Sequence, residues 1–284
     1  MALGGRARFA GTMKMGLLLF GWVSLGYFLL APAAATTNGV AALRNAHAHN
    51  DYEHSRPLFE ALEQSFTSVE ADVHWIDGEI RVSHDRAHAL PGLTLRKLYL
   101  DPLQVLVRTN HGRVHRDRAE FFLMLDYKAD EGVAALELHR SVTSELKNYR
   151  EMLTAFHGTN VTLAAVTVVL SGSRPFAVIA RETERWWAID GKLAELESNP
   201  PAALVPWIST SWTPTFTWTG RDEFPADQRD RLRGLVAKSH AQGRLLRFWG
   251  APDHLDFWRG LREEGVDLIN TDQLEKLAQF LRTQ

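Results

Sequence analysis

The sequence predicts an α/β protein built as a single (β/α)8 TIM barrel, and three observations carry that prediction. Short apolar, β-branched runs alternate with stretches of helical periodicity, the pattern of a parallel sheet with crossover helices. Residues 36–284 of the 284-residue chain match the roughly 250 residues such a barrel needs. No G-x-G-x-x-G follows a strand, which removes the usual mark of an open dinucleotide-binding sheet. Composition agrees: 45% hydrophobic and 23% charged residues exclude disorder, collagen and coiled coil. A formal charge of -2 gives no electrostatic reason to expect a nucleic-acid partner. With no Cys, the fold has neither disulfides nor thiolate ligands, so any metal must be held by oxygen or imidazole.

Residues 1–35 read as a signal peptide or N-terminal anchor. Arg6, Arg8 and Lys14 precede an apolar run at 15–30, and Ala31-Pro32-Ala33-Ala34-Ala35 supplies small residues for cleavage. The run is shorter than the roughly 20 residues that span a bilayer, so export to a periplasmic or extracellular space is expected, with retention by an uncleaved anchor as the alternative. Residues 36–284 form one domain. Strands are predicted at 40–48, 68–76, 121–127, 161–170, 203–208, 244–249 and 266–270. Ser55 is read as the cap of a helix carrying Leu58, Phe59 and Leu62, and Asp130 opens a long helix through Val133, Leu136, Val142, Leu146 and Leu153. Pro225 starts another that Gly243 ends. Asp253 is read as the cap of 254–264, before Gly265, and Asp272 with Glu275 as a capping-box-like start of the last helix.

Side chains two apart on a strand share a face, and the carboxyl ends of barrel strands form the site. Polar pairs recur at those ends: His47 and His49, Glu70 and Asp72, Asp126 and Lys128, Arg247 and Trp249, Asn270 and Asp272. Apolar residues precede each pair, which argues against a solvated surface. Glu70, Asp72 and Asp126 crowded into one mouth would repel each other unless a cation lay between them, which suggests one divalent cation, Mg2+ or Ca2+. The competing reading is structural ion pairing with barrel Arg or Lys residues, Lys128 among them. Asp77-Gly78 marks a hairpin that returns His84 toward the acids. A two-residue loop sets Ala71 opposite His84, a three-residue loop sets Asp72 there, and the sequence leaves both open. His54, His88, His111, His115 and His157 are read as surface residues. His49 and His84 then flank a substrate as acid and base, while the metal, Lys128 and Arg247 neutralise a phosphoryl group, which describes a phosphodiesterase.

The motifs Ala48-His49-Asn50-Asp51-Tyr52, Ser68-Val69-Glu70-Ala71-Asp72-Val73, Asp77-Gly78 and Val82-Ser83-His84-Asp85 resemble the start of the glycerophosphodiester phosphodiesterase and phosphatidylinositol-specific phospholipase C superfamily. Asp126-x-Lys128 is similar to its acid-x-Lys on the fourth strand, and Trp249 with the run at 265–272 is similar to its closing W and G-V-D-x-I-x-T-D. The resemblance implies a PLC-like phosphodiesterase type of barrel. It also implies that His49 and His84 are the acid/base pair, that Glu70, Asp72 and Asp126 are the cation ligands, and that Lys128 contacts phosphate. The usual opening is His-Arg-Gly, whereas His49 is followed here by Asn50-Asp51-Tyr52, so the contact of that Arg is missing or falls to Asn50 or Arg247. The H-N-D-Y opening resembles the branch called altered inheritance of mitochondria protein, and the acid at 126 is also like the sphingomyelinase D branch.

Trp249 and Asn270 complete the expected substrate contacts. The expected partner is a small-molecule or lipid phosphodiester, of phospholipid or glycerophosphodiester type, with the oligomeric state open. The segment 207–218 concentrates three Trp residues and is read as packing over the barrel rim, with a lipid pocket or membrane-surface contact as the alternative. Two other functions compete. A metal-dependent amidohydrolase-type barrel would use His47-x-His49, Lys128 and Asp272, but needs further His ligands where 166–173 and 205–211 have none. A catalytically inactive PLC-like binding module keeps the fold without turnover, against the retention of both imidazoles and all three acids.

Overall fold

The computed structural model describes residues 40–284, so the signal or anchor expected at 1–35 lies outside the described residues. Nine strands matter for the site: β1 Leu43–Ala48, β2 Phe66–Ile76, β3 Glu79–Val82, β4 Phe121–Tyr127, β5 Val166–Gly172, β6 Ala188–Gly191, β7 Trp207–Ser211, β8 Leu245–Trp249 and β9 Ile269–Thr271. All but β3 run parallel, in the order β8-β7-β6-β5-β4-β2-β1-β9, while β3 returns antiparallel along β2. A parallel bridge from Arg247 to Leu268 brings β8 to β9 and nearly closes the ring. A helix follows each barrel strand, counting the β2–β3 hairpin as one: α1 Phe59–Glu63, α2 Asp101–Thr109, α3 Val133–Leu146, α4 Phe176–Ile179, α5 Leu193–Ser198, α6 Ala226–Ala241, α7 Leu255–Glu263 and α8 Leu274–Arg282. Among the described residues, no helix is long and apolar enough to cross a membrane.

Strand parity sorts the side chains. Val69, Ala71 and Val73 of β2, Leu123 and Leu125 of β4, and Val168 and Leu170 of β5 face outward into the apolar layer under the helices. The alternate set faces the lumen, where Met124, Val169, Trp207 and Leu268 form a separate apolar floor. Above that floor the same parity delivers Glu70, Asp72 and Asp126, because Glu70 pairs with Met124 and Asp72 with Asp126 in the β2–β4 register.

Several elements differ from the sequence expectation. The strand expected at 161–170 splits: 166–172 enters the barrel, while Asn160–Thr162 joins Ala155–His157 and Glu184–Arg185 in a small antiparallel sheet. The strand expected at 203–208 begins only at Trp207, since 202–204 form a turn in which the Leu204 and Val205 N–H groups donate to the Pro201 carbonyl, and Pro206 has no N–H for the ladder. β6 escaped notice because its apolar run is too short for periodicity to register. Ser55 caps nothing; its hydroxyl donates to Glu60 (2.6 Å), and α1 starts at Phe59 behind Leu58, whose φ is 67°. The long helix ends at Leu146 rather than continuing to Leu153. His115 is buried rather than exposed, its Nε2 hydrogen bonded to the Phe66 carbonyl at 2.8 Å. In the aromatic segment Trp207, Trp212 and Trp218 are buried. Trp212 stacks on Phe216 at 4.3 Å and Trp218 on Phe224 at 4.0 Å, the packing that the rim reading expects.

Candidate active site

The three acids predicted to share a mouth do so. Glu70, Asp72 and Asp126 each present a carboxylate oxygen within 4.8 Å of the others, and among the described residues this is the one such convergence of His, Asp or Glu. Two cations lie against them. Lys128 Nζ is 2.6 Å from Asp126 and 3.1 Å from Asp72, and the buried Arg247 donates to Glu70 Oε2 at 2.5 Å. Three carboxylates against two cationic side chains leave an excess of negative charge, and the titrations divide accordingly. Burial opposes the charge of Glu70, but Arg247 and the His47 hydrogen bond hold it well below the usual carboxylate range. Asp72 and Asp126 are instead raised, by burial first and then by the neighbouring carboxylates, with Lys128 only partly offsetting them. Asp72 Oδ1 is buried and has no hydrogen-bond partner among the described residues. An all-oxygen set with surplus negative charge and a free buried carboxylate oxygen fits a hard divalent cation.

Each candidate catalytic imidazole is held by a carboxylate. His49, just past the end of β1, has Nδ1 2.8 Å from Asp272 Oδ1. Burial would lower its pKa, but that hydrogen bond and the charges of Glu70 and Asp272 raise it on balance. His84 arrives by the hairpin. Ile76 pairs with Glu79, so the loop is the two-residue Asp77-Gly78, with φ of 50° and 79° as a type I′ turn requires. The ladder continues only to Ser83, whose N–H donates to Asp72 O at 3.1 Å; the chain then leaves the sheet and His84 Nδ1 reaches Asp72 Oδ2 at 3.1 Å. The register that sets Ala71 opposite His84 therefore still brings the imidazole to the acids.

The remaining expected residues take different places. Asn50 turns the chain at the top of β1 in the left-handed region, φ 45°. Asn270 accepts from Arg247 Nε at 2.7 Å and keeps a buried Nδ2 without a partner. Arg247, expected at substrate, is engaged by Glu70 and Asn270. Trp249 ends β8 about half exposed (49%). His47 is fully buried with its pKa lowered to about 4, by burial and then by Arg247. Neutral, it accepts from Ser68 (2.6 Å) and donates to Glu70 (3.0 Å), so it steadies an acid and is not one of a pair of imidazole metal ligands. That counts against the amidohydrolase arrangement.

Sequence reasoning missed the contacts that four neighbours make. Tyr52 donates to Asp72 Oδ2 at 2.8 Å. Asp190, on the unforeseen β6, lies 3.9 Å from Arg247 and accepts from Ser171 at 2.9 Å. Asp272 caps no helix, because its carboxylate is on His49 and α8 begins at Leu274 behind Gln273. Asp253 likewise is no cap; it accepts from Trp258 Nε1 (3.0 Å) and from the Asp272 N–H (3.0 Å), fixing the residue that holds His49. The Asp-Gly after the short run at 188–189 was the available signal for Asp190.

Residues 35–190, which carry β1 to β5, most of β6 and both imidazoles, match the AIM6-like phosphodiesterase domain. The chain belongs to this family. Altered inheritance of mitochondria protein 6 of Saccharomyces cerevisiae is 26% identical over 275 residues, covering 80% of this chain and 68% of the relative. The Arthroderma benhamiae homolog is 25% identical over 265 residues, covering 84% and 83%. Among solved structures, a glycerophosphodiester phosphodiesterase from Parabacteroides distasonis superposes with a TM-score of 0.51 at 14% identity, over 84% of this chain and 97% of that one. A calcium-dependent phosphoinositol-specific phospholipase C from Pseudomonas gives 0.55 at 12% identity, over 81% and 88%. These two establish the shared barrel. At the family level the chain is a phosphodiesterase-like TIM barrel.

Proposed function

We propose that this barrel is a divalent-cation-dependent phosphodiester hydrolase acting on a phospholipid or glycerophosphodiester-type substrate. The observation that supports it most is the pairing of two carboxylate-held imidazoles, His49 on Asp272 and His84 on Asp72, with one convergent acid cluster. Glu70, Asp72 and Asp126 would hold Mg2+ or Ca2+, which when bound supplies Lewis-acid polarisation of a phosphoryl oxygen. His49, whose charged form its neighbours favour, gives the proton to the leaving oxygen. His84, oriented through Nδ1, offers Nε2 to take the proton of the attacking hydroxyl or water. Lys128 stays an ammonium, since the charges of Asp126 and Asp72 outweigh its burial, and would supply positive charge to a phosphate at the acid cluster. Asn50 and the exposed face of Trp249 contact the rest of the substrate, while Asn270 holds Arg247, which acts through Glu70. The leader-like start supports export as part of the same reading.

Hydrolysis of bis(p-nitrophenyl) phosphate by the purified full chain tests this, with and without chelator, beside His49→Ala and His84→Ala. Each substitution should cost on the order of 10²- to 10⁴-fold in rate with folding unchanged. Activity that survives both chelation and His49→Ala would overturn the assignment. Cation binding without turnover would select the binding-module reading instead.

A further inference from the structure

We infer that Tyr52 is a positioning residue of the acid cluster, its hydroxyl orienting Asp72 so that one carboxylate oxygen is engaged by donors and the other is presented to a cation. The inference rests on the cation reading above and extends it to a residue outside the set that the sequence singled out.

The H-N-D-Y turn explains how the phenol gets there. Asn50 turns the chain at φ 45°, and the fully buried Asp51 ties the loop down at a distance. Its Oδ2 accepts the Leu58 N–H at 2.6 Å and the Tyr99 hydroxyl at 2.9 Å. Between these anchors Tyr52 leans over the acids and donates to Asp72 Oδ2 at 2.8 Å. Burial, then the charge of Asp72, keeps the phenol protonated and hence a donor.

Asp72 Oδ2 thus receives three donors: Tyr52 at 2.8 Å, His84 Nδ1 at 3.1 Å and Lys128 Nζ at 3.1 Å. Asp72 Oδ1 receives none, although it is buried. A buried carboxylate oxygen left bare while its twin is saturated calls for a partner that the protein does not supply, and an ion beside two further carboxylates meets that need. Tyr52 also lies 3.4 Å from His84 Nδ1, but that nitrogen shares the same acceptor oxygen, so both groups donate and the lone pair of a neutral His84 sits on Nε2. One hydroxyl therefore sets the rotamer of an acid and supports the tautomer of the imidazole beside it.

Titration calorimetry of the full chain with Mg2+ and with Ca2+ tests the inference in wild type, Tyr52→Phe and Tyr99→Phe. Tyr52→Phe keeps the ring and removes only the donor, so a purely packing role predicts no change. Cation affinity should instead fall on the order of 10- to 100-fold, the usual loss when a partner of a metal ligand is removed. Tyr99→Phe removes a hydroxyl from the same loop but serves Asp51, and should lower the Tm while keeping wild-type affinity. Wild-type affinity in Tyr52→Phe would overturn the inference, as would an equal loss in Tyr99→Phe, which would assign the effect to loop order. Absence of binding in the wild type would overturn the cation reading together with the inference.

Discussion

The two halves of the barrel mouth are built by one parity rule and yet differ in how their polar groups are satisfied. On the β1–β2–β4 side, Glu70, Asp72 and Asp126 are matched by His47, Tyr52, His84 and Lys128 within hydrogen-bond reach, although Asp72 Oδ1 is left without a partner among the described residues. On the β5–β6–β7 side, Asp190 Oδ1 and Ser209 Oγ are buried without a hydrogen-bond partner among the described residues, and Ser171 donates to Asp190 at 2.9 Å. Arg247 joins the halves but unequally, at 2.5 Å from Glu70 and 3.9 Å from Asp190. The difference teaches that Arg247 belongs to the acid cluster, and that Asp190 is a buried carboxylate whose pKa burial raises more than Arg247 lowers it.

Arg247→Met breaks the comparison most severely. It strands the Glu70 carboxylate in the lumen, and losing one partner of a buried pair typically costs ~3–5 kcal/mol; denaturant unfolding reads it. A loss of a few tenths would mean that water, not Arg247, carries that charge. Asp190→Asn should fall at the other extreme, within ~1 kcal/mol of wild type or slightly stabilising at neutral pH, because it removes a poorly paired buried charge and keeps an acceptor for Ser171. A loss as large as that of Arg247→Met would erase the distinction between the halves.

The smallest effect lies below the barrel. Burial lowers the pKa of His115, outweighing its hydrogen bond to Phe66. The unfolded chain therefore binds that proton more readily, so the stability this residue contributes is present above about pH 6.5 and is lost as pH falls below it. The slope is at most about 1.4 kcal/mol per pH unit. Melting curves of His115→Gln should be flatter than wild type below pH ~6.5; identical slopes would contradict the assignment.

The legible half of the site was also the acid half, for a physical reason. β2 and β4 are long enough, at 11 and 7 residues, for the spacing of Glu70 to Asp72 and of Asp126 to Lys128 to mark one face. β6 spans 4 residues, too few for its period to emerge, and Asp190 went unseen with it. Asp253 and Asp272 were misread because a helix cap, an acceptor for a loop N–H and an imidazole partner all call for the same side chain just before a helix, and only the fold decides which group it meets. His84 was placed near the acids under either hairpin register, yet its contact with Asp72 arises where the ladder has already ended. His115 looked like surface because its partner is a backbone carbonyl 49 residues away.

The most direct test of the cation cluster is the melting temperature of the full chain against Mg2+ and Ca2+ concentration, in wild type and Asp126→Asn. Asp126→Asn should leave the chelated protein as stable or slightly more so, since it relieves the surplus negative charge. Wild type should gain stability with added cation, about 2.7 kcal/mol at one hundred times Kd, while Asp126→Asn gains little. An unresponsive wild type, or an equal gain in both proteins, would contradict the account.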